Sequence, residues 1–130
     1  MVIYYFLKMK ENNIVLNKSD EFAVKIVNLY KELNYNKKEY VISHQILKSG
    51  TSIGANINEA ICGISRNDFL AKMYIAFKES NETLYWLRLL YKTNYLNIDD
   101  YNSLRNDCNE IRILLSSITK TTAEKIIPNS

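Results

Sequence analysis

Apolar residues recur three and four positions apart along four long stretches of this chain, and short polar segments separate the stretches. Such spacing places apolar side chains on one face of an α-helix. The first stripe consists of Phe22, Ile26, Leu29 and Leu33. The other three are Ile42, Ile46, Ser49, Ile53, Ile57 and Ala60; Phe69, Met73, Ala76, Ser80, Thr83, Leu87 and Leu90; and Tyr101, Leu104, Cys108, Ile111, Leu115, Ile118 and Thr122. The pattern predicts four amphipathic helices.

Polar residues that favour helix N-termini precede each stripe. Serine and asparagine accept hydrogen bonds from the first free backbone N–H groups, and an acidic residue three positions later favours the same end. The predicted helix starts are Ser19, Asn36 with Glu39, Ser65 with Asp68, and Asn97 with Asp100. Short polar loops between long stripes are typical of neighbouring antiparallel helices.

The chain has only three glycines and one proline, Pro128, which leaves few turn residues for a sheet. We therefore predict an all-α fold, an antiparallel up-down-up-down four-helix bundle over residues 19–125. Residues 1–18 are expected to form an N-terminal arm, extended or disordered, and residues 126–130 a frayed tail. Met9 is an alternative start, which would make residues 1–8 a leader without structural consequence.

The third stripe has a second apolar edge, formed by Leu70, Tyr74, Phe77, Leu84 and Tyr91. An apolar surface this wide exceeds what one face of a monomeric bundle needs. It favours a homo-oligomer, in which a second copy covers the excess.

The segment at 48–60 combines helical spacing with residues that weaken a solitary helix, including Gly50 and Gly54. Glycines four apart allow another backbone or a large side chain to approach, and Tyr85 and Trp86 are candidates to fill the space, within the chain or across a subunit boundary. The predicted packing or oligomer-interface residues are Ser49, Gly50, Ile53, Gly54, Asn56, Ile57, Glu59, Phe77, Glu82, Tyr85 and Trp86.

The net charge of +3, from 17 basic and 14 acidic residues, permits contact with an anionic partner but does not require it. The positive excess collects on the arm and the two central helices. The candidate nucleic-acid contacts are Lys37, Lys38, Lys48, Arg66, Lys72, Arg88 and Lys92. Cys62 and Cys108 are far apart and predict two buried thiols, not a disulfide. No apolar run is long enough for a membrane span, so we expect a soluble cytoplasmic protein.

The sequence argues against an enzyme. There is one histidine, His44, and no Glu-x-x-His pair, which excludes a carboxylate-bridged di-metal site of the kind held by helix bundles. No nucleotide-binding glycine motif is present. Glu79 and Glu82 lie three apart, but ion pairing explains them better than acid–base chemistry. We predict no catalytic residues, no cofactor, no metal and no small-molecule substrate.

Two central segments carry a family resemblance. They read QILKS at 45–49 leading to SIGANINEA at 52–60, and DFLAKM at 68–73 leading to IAFKESNETLYWL at 75–87. The chain resembles, over roughly residues 19–122, the four-helix bundle family named for proteins encoded in intervening sequences of bacterial 23S ribosomal RNA genes. It departs from many relatives at Ala60, where they have glycine after the glutamate.

The resemblance implies an antiparallel bundle that assembles as a homopentamer and has no catalytic residues. A related protein is the accessory protein of diversity-generating retroelements, a basic pentamer that binds a reverse transcriptase. We therefore expect a non-enzymatic homo-oligomer that binds RNA or a nucleoprotein. The alternative is a protein-interaction adaptor, for example for a polymerase, that does not contact nucleic acid itself.

Overall fold

The computed structural model describes the backbone of residues 2–126 and the side chains of residues 10–124. Within that range the chain forms four α-helices: α1 (Val2–Lys31), α2 (Ile42–Ile61), α3 (Arg66–Lys92) and α4 (Ile98–Ile126). A π-helical turn, Glu32–Asn36, follows α1 directly. The predicted all-α fold is confirmed, and no strand occurs among the described residues.

Successive helices are antiparallel neighbours, because residues nearer the C-terminus of one helix contact residues nearer the N-terminus of the next. Along α1 and α2, Ile26 faces Gly50 and Ser19 faces Gly54. The pairs that show the same relation are Ser49 with Thr83 and Glu59 with Lys72 for α2 and α3, and Tyr91 with Tyr101 and Ser80 with Cys108 for α3 and α4. Helix α1 also packs beside α4, which closes the bundle.

The four apolar stripes form the core. Phe22, Ile26 and Leu33 on α1 are buried with Ile46, Ile53 and Ile57 on α2, Met73, Leu87 and Leu90 on α3, and Ile111 and Leu115 on α4. Ser49, Ser80 and Thr83 occupy the same stripes and are buried too. The Thr83 and Ser49 hydroxyl oxygens lie 2.9 Å apart, so these polar side chains satisfy each other in the core.

The start of α1 differs from the prediction. The helix begins at Val2 and not at Ser19, so the described part of the expected N-terminal arm is helical. Ser19 is fully buried, and its Oγ donates to the carbonyl of Leu16 at 2.7 Å instead of capping a helix. Val15, also fully buried, continues the apolar stripe upstream at the same spacing. A short polar residue inside a buried stripe was thus mistaken for an N-cap.

Of the other three predicted helix starts, two are confirmed and one is wrong. Ser65 Oγ accepts from the Asp68 backbone N–H at 3.0 Å, and Asn97 Oδ1 accepts from that of Asp100 at 2.8 Å. Helix α2, however, begins at Ile42 and not near Asn36, because the π-helical turn carries the first helix through Asn36. Glu39 accepts from the Ser43 backbone N–H at 2.7 Å, at the positive end of α2.

Met1 and residues 127–130, which make up most of the predicted tail at 126–130, lie outside the described residues. Helix α4 continues to Ile126, the first residue of that tail. Over residues 2–126, no helix is both long and apolar enough to cross a lipid bilayer.

Candidate interaction surfaces

The two glycines of α2 lie against α1. A Cβ added at Gly50 would fall 2.9 Å from both Cγ1 and Cγ2 of Ile26, and one at Gly54 would fall 3.2 Å from the Oγ of Ser19. We call this contact the glycine seam. The close approach expected from the sequence is present, but the occupant is α1; Tyr85 and Trp86, the candidates for filling that space, lie on α3 and are not the neighbours. The glycines therefore serve packing within the chain.

The other predicted packing residues of α2 divide between the core and the surface. Ile53 and Ile57 are fully buried. Asn56 donates to the Ser52 carbonyl at 2.8 Å along its own helix. Glu59 is not buried: it is exposed and pairs with Lys72 at 2.8 Å, on the edge of α2 that faces α3. Its predicted place at an interface between copies stays a prediction.

Helix α3 leaves apolar side chains on the outside of the bundle. Tyr74, Ile75 and Tyr85 are each exposed over about two fifths of their surface or more. Tyr85 makes an edge contact with the Trp86 ring at a centroid distance of 4.8 Å, and Trp86 Nε1 donates to Glu82 at 3.3 Å. The wide apolar surface predicted for this helix is thus only partly covered within one chain.

Phe77 and Tyr74 line a groove between α3 and α4. Its opposite wall comes from α4 and consists of Ser116, Thr119, Lys120, Ala123 and Glu124. Phe77 is half-buried, whereas Tyr74 is exposed over 44% of its surface. The groove places an aromatic strip beside polar residues on the outer surface, at the end of the bundle where α4 terminates.

The seven basic residues predicted to contact nucleic acid do not form one patch. Lys37, Lys38 and Lys92 lie at the end of the bundle that carries the α1–α2 and α3–α4 connections. Arg66 begins α3 at the opposite end, and Lys72 follows it within two turns. The remaining two are Lys48 on α2 and Arg88 on α3.

Several of these cations have partners inside the chain. Lys37 Nζ donates to the carbonyl of Tyr95 at 2.7 Å, which ties the two connections together. Lys72 pairs with Glu59, and the Arg88 guanidinium lies 5.7 Å from the centroid of the Tyr85 ring. A uniform basic face is therefore absent from the described part of a single chain.

A group of aromatic side chains surrounds the α1–α2 connection, and no spacing in the sequence predicts it. Tyr30 meets Tyr35 at a centroid distance of 6.5 Å and His44 at 5.3 Å, both edge-on. His44 Nδ1 lies 2.5 Å from the Tyr40 carbonyl and must donate to it, which leaves Nε2 to accept from the Tyr30 hydroxyl at 3.5 Å. With the intervening lysines these residues form the tyrosine–lysine corner: Tyr30, Tyr35, Lys37, Lys38, Tyr40 and His44.

The titration of two groups is shifted by burial. Desolvation raises the pKa of Glu79, with a smaller contribution from Glu82 on the next turn, while Lys48 acts in the opposite direction. Burial raises the pKa of the Cys108 thiol to about 12. Cys108 is buried as predicted, but Cys62 is exposed, since it follows the last residue of α2 at the surface; both are free thiols.

The described side chains offer no metal centre, because no three histidine, cysteine or acidic residues among them come together in a way that would hold an ion. His44 is held by Tyr30 and the Tyr40 carbonyl. What the geometry presents is a set of surfaces: the outer face of α3, the groove beside α4 and the tyrosine–lysine corner.

A family model for the 23S rRNA-intervening sequence proteins matches residues 11–117. The chain belongs to this family. The matched region includes the glycine seam, the whole of α2 and α3, and most of α4. The resemblance drawn from the two central segments is thereby confirmed, and the family region begins within the segment expected to be an arm.

A solved structure supports the same assignment. The crystal structure of a protein of unknown function from the S23 ribosomal protein family of Bacteroides thetaiotaomicron is 57% identical to this chain, covers 85% of it and 98% of its own length, and superposes with a TM-score of 0.83. No curated protein matches the chain.

Proposed function

We propose that this family member is a non-enzymatic homo-oligomer that binds RNA or a nucleoprotein. The observation that carries the proposal is the outer face of α3, where Tyr74, Ile75 and Tyr85 remain exposed beside a core that is otherwise well filled. Aromatic residues are enriched at protein interfaces, so exposed tyrosines on one helix favour a place where another molecule binds. A second copy of the chain supplies such a cover.

A ring of copies is the arrangement we favour, and five is the number that the family resemblance implies. A head-to-tail contact between identical subunits closes into a ring when its rotation permits. In a ring, the lysines at one end of each bundle recur around the axis. A modest charge per chain then adds up to a positive surface, which RNA phosphates require.

The names of the relatives point in the same direction. The matching family is named for 23S rRNA intervening sequences, and the Bacteroides structure is assigned to a ribosomal protein family. We take these names as support for an RNA or ribonucleoprotein partner.

The test has two parts. Multi-angle light scattering on the purified chain at micromolar concentration should give a multiple of the 15.2 kDa subunit mass. Replacing Tyr85 by glutamate should shift that mass toward the monomer, whereas Ile113→Glu, at an equally exposed position on α4, should leave it unchanged. A wild-type monomer would refute the assembly.

RNA binding is tested by fluorescence anisotropy with a structured ribosomal RNA fragment at several salt concentrations. We expect affinity that falls as salt rises, because phosphate contacts release counterions. The triple variant Lys37→Gln, Lys38→Gln, Lys92→Gln should weaken binding and flatten the salt dependence. The matched control is Lys72→Gln, because Glu59 already neutralises that lysine. Absence of binding at low salt would refute this part.

The second candidate is an adaptor that binds a protein, such as a polymerase, without touching nucleic acid. The partners of Lys72 and Arg88 within the chain favour it, because these groups are already engaged by Glu59 and the Tyr85 ring. It predicts capture of a polymerase in a pull-down, with no measurable RNA affinity. If the wild-type chain binds no RNA at low salt and Arg88→Gln loses capture, the adaptor is supported; RNA binding by the wild-type chain would refute it.

A further inference from the structure

We propose that the tyrosine–lysine corner is a binding site for single-stranded RNA, in which the rings of Tyr35 and Tyr40 stack on unpaired bases while Lys37 and Lys38 contact the flanking phosphates. The proposal rests on the proposed RNA-binding function and adds to it a place on the molecule and a class of RNA.

Exposure singles out these two rings. Tyr35 and Tyr40 are exposed over 62% and 53% of their surfaces, more than any other described tyrosine. They lie on either side of two consecutive exposed lysines within six residues of chain. Proteins that bind single strands combine aromatic side chains, on which bases stack, with cations that follow the backbone. This corner supplies both in one short connection.

The corner is also held in place, which favours binding over random motion of exposed rings. Tyr30 contacts Tyr35 on one side and His44 on the other, and His44 holds the backbone of Tyr40 through its Nδ1 donor. Lys38 has a φ of 57°, in the left-handed region, so the chain reverses sharply between the two exposed rings. A rigid platform loses less conformational entropy on binding.

The charges at the corner leave a small positive excess, because residues 30–44 carry three lysines and two carboxylates. The Glu39 carboxylate accepts from backbone N–H groups at the positive end of α2, and Glu32 accepts from the Asn36 side chain at 2.6 Å. Lys37 is anchored to the Tyr95 carbonyl, but its ammonium group remains exposed and has further donor hydrogens.

The same composition argues against a protein partner or a second copy at this place. Lysine is depleted in the buried centre of protein interfaces, and here two lysines separate the exposed rings. Duplex RNA fits poorly too, because its bases are already stacked and its recognition relies on the minor groove and the 2′-hydroxyl groups. Unpaired bases, with free faces, are the partners that the rings can use.

The experiment compares ring variants in fluorescence anisotropy at low salt, with a ten-nucleotide oligouridylate, the same length of oligoadenylate and a 16-base-pair RNA duplex as probes. Tyr35→Ala with Tyr40→Ala should reduce the affinity for both single strands at least about tenfold, since each stacked base contributes about 1–3 kcal/mol. Tyr35→Phe with Tyr40→Phe should retain affinity, because the rings remain.

Two controls make the result specific. Val24→Ala with Ile113→Ala removes two exposed apolar side chains that lie outside both the corner and the outer face of α3, and it should leave single-strand affinity within about twofold, because base stacking is assigned only to the corner. Light scattering on the Tyr35→Ala, Tyr40→Ala variant should give the wild-type mass. A smaller mass would mean that the corner is a contact between copies, which overturns the proposal.

The remaining outcomes separate this inference from the function it rests on. If wild-type protein binds RNA and the alanine variant binds equally well, the corner is not the site, while the RNA-binding function stands. The same holds if the duplex binds as tightly as the strands. If wild-type protein binds none of the three probes and no structured RNA at low salt, both the site and the RNA-binding function are refuted.

Discussion

Helix α1 packs against two neighbours in opposite ways. On the α2 side is the glycine seam, where Ile26 fills the space left by Gly50 and the Ser19 side chain packs against Gly54. On the α4 side the helices pack less closely and meet through two exposed ion pairs, Lys18 with Glu110 at 2.9 Å and Lys25 with Asp107 at 2.5 Å, which we call the ionic seam. Open grooves lie along the ionic seam at both pairs.

The difference predicts which contacts of α1 contribute most to the free energy of unfolding. Close-packed apolar contact gains both the hydrophobic effect and dispersion, whereas exposed ion pairs contribute between zero and about 1 kcal/mol each. The helix propensity lost at two glycines is offset by the contact that only glycine permits. We therefore expect variants at the two seams to differ strongly in the free energy of unfolding.

The largest expected effect is in thiol reactivity, and it tests whether α4 stays packed in the native bundle. Cys108 is fully buried on α4 and its pKa is raised to about 12, so at pH 8 only about one thiol in 10⁴ is a thiolate. Exposed Cys62 should react with iodoacetamide at least about 100-fold faster than Cys108, measured by mass spectrometry of peptides from the native protein.

In 6 M urea the two thiols should react at similar rates, which provides the control. Equal rates in the native protein would show that α4 leaves the bundle readily.

Ile26→Ala should destabilise the fold by about 3 kcal/mol, because it removes a fully buried side chain and leaves a cavity at the glycine seam. Adding Gly50→Ala should restore part of that loss, since the new methyl group occupies space that Ile26 has vacated. Urea unfolding followed by circular dichroism, at one fixed protein concentration, measures both variants. Strictly additive changes would mean that the two side chains do not share the space.

Gly50→Ala alone should cost about 1–2 kcal/mol, because overpacking against Ile26 outweighs the gain of about 1 kcal/mol in helix propensity. Gly54→Ala is the matched control on the same helix. Its Cβ would lie 3.2 Å from the end of the Ser19 side chain, so the change should stay within about 0.5 kcal/mol of zero. The same urea experiment decides, and equal costs at the two glycines would contradict the role given to Ile26.

The smallest effect is expected at the ionic seam. Lys25→Gln should change the free energy of unfolding by less than about 0.5 kcal/mol, because both partners of the ion pair are substantially exposed. Repeating the measurement in 0.5 M NaCl should shrink even that difference through screening. If the free energy of unfolding fell by more than about 1 kcal/mol, the ionic seam would contribute substantially to stability, and the contrast with the glycine seam would be weaker.

The residues that the sequence predicted well are those whose role follows from local spacing. The buried stripe from Met73 to Leu90 was predicted correctly because the α-helix repeats every 3.6 residues, whatever packs against it. Ser65 was predicted correctly as a cap for the same reason, since its partner Asp68 is three residues away. Ser19 was not, because a buried serine inside a stripe looks like a capping serine until its neighbours are known.

The candidate sites were harder to predict. Gly50 predicted a close approach of some other element. Its partner on α1, Ile26, lies 24 positions earlier, and no local pattern connects the two residues. The tyrosine–lysine corner has no period at all: Tyr30, Tyr35, Tyr40 and His44 become neighbours only because a π-helical turn and a left-handed residue fold the connection back. In the sequence, two tyrosines flank a pair of lysines, but no periodic spacing indicates that these residues form one surface with Tyr30 and His44.

By itself, then, the sequence determined the helices, their buried faces and the family, because each depends on periodicity or on contiguous segments. The tertiary structure alone decided that α1 fills the glycine seam, that α1 packs less closely against α4, that Glu59 pairs with Lys72 and that the tyrosines gather at one corner. Those features depend on which helices become neighbours and on how their connections turn. Both are set by packing between residues far apart in the chain, where spacing along the sequence carries no information.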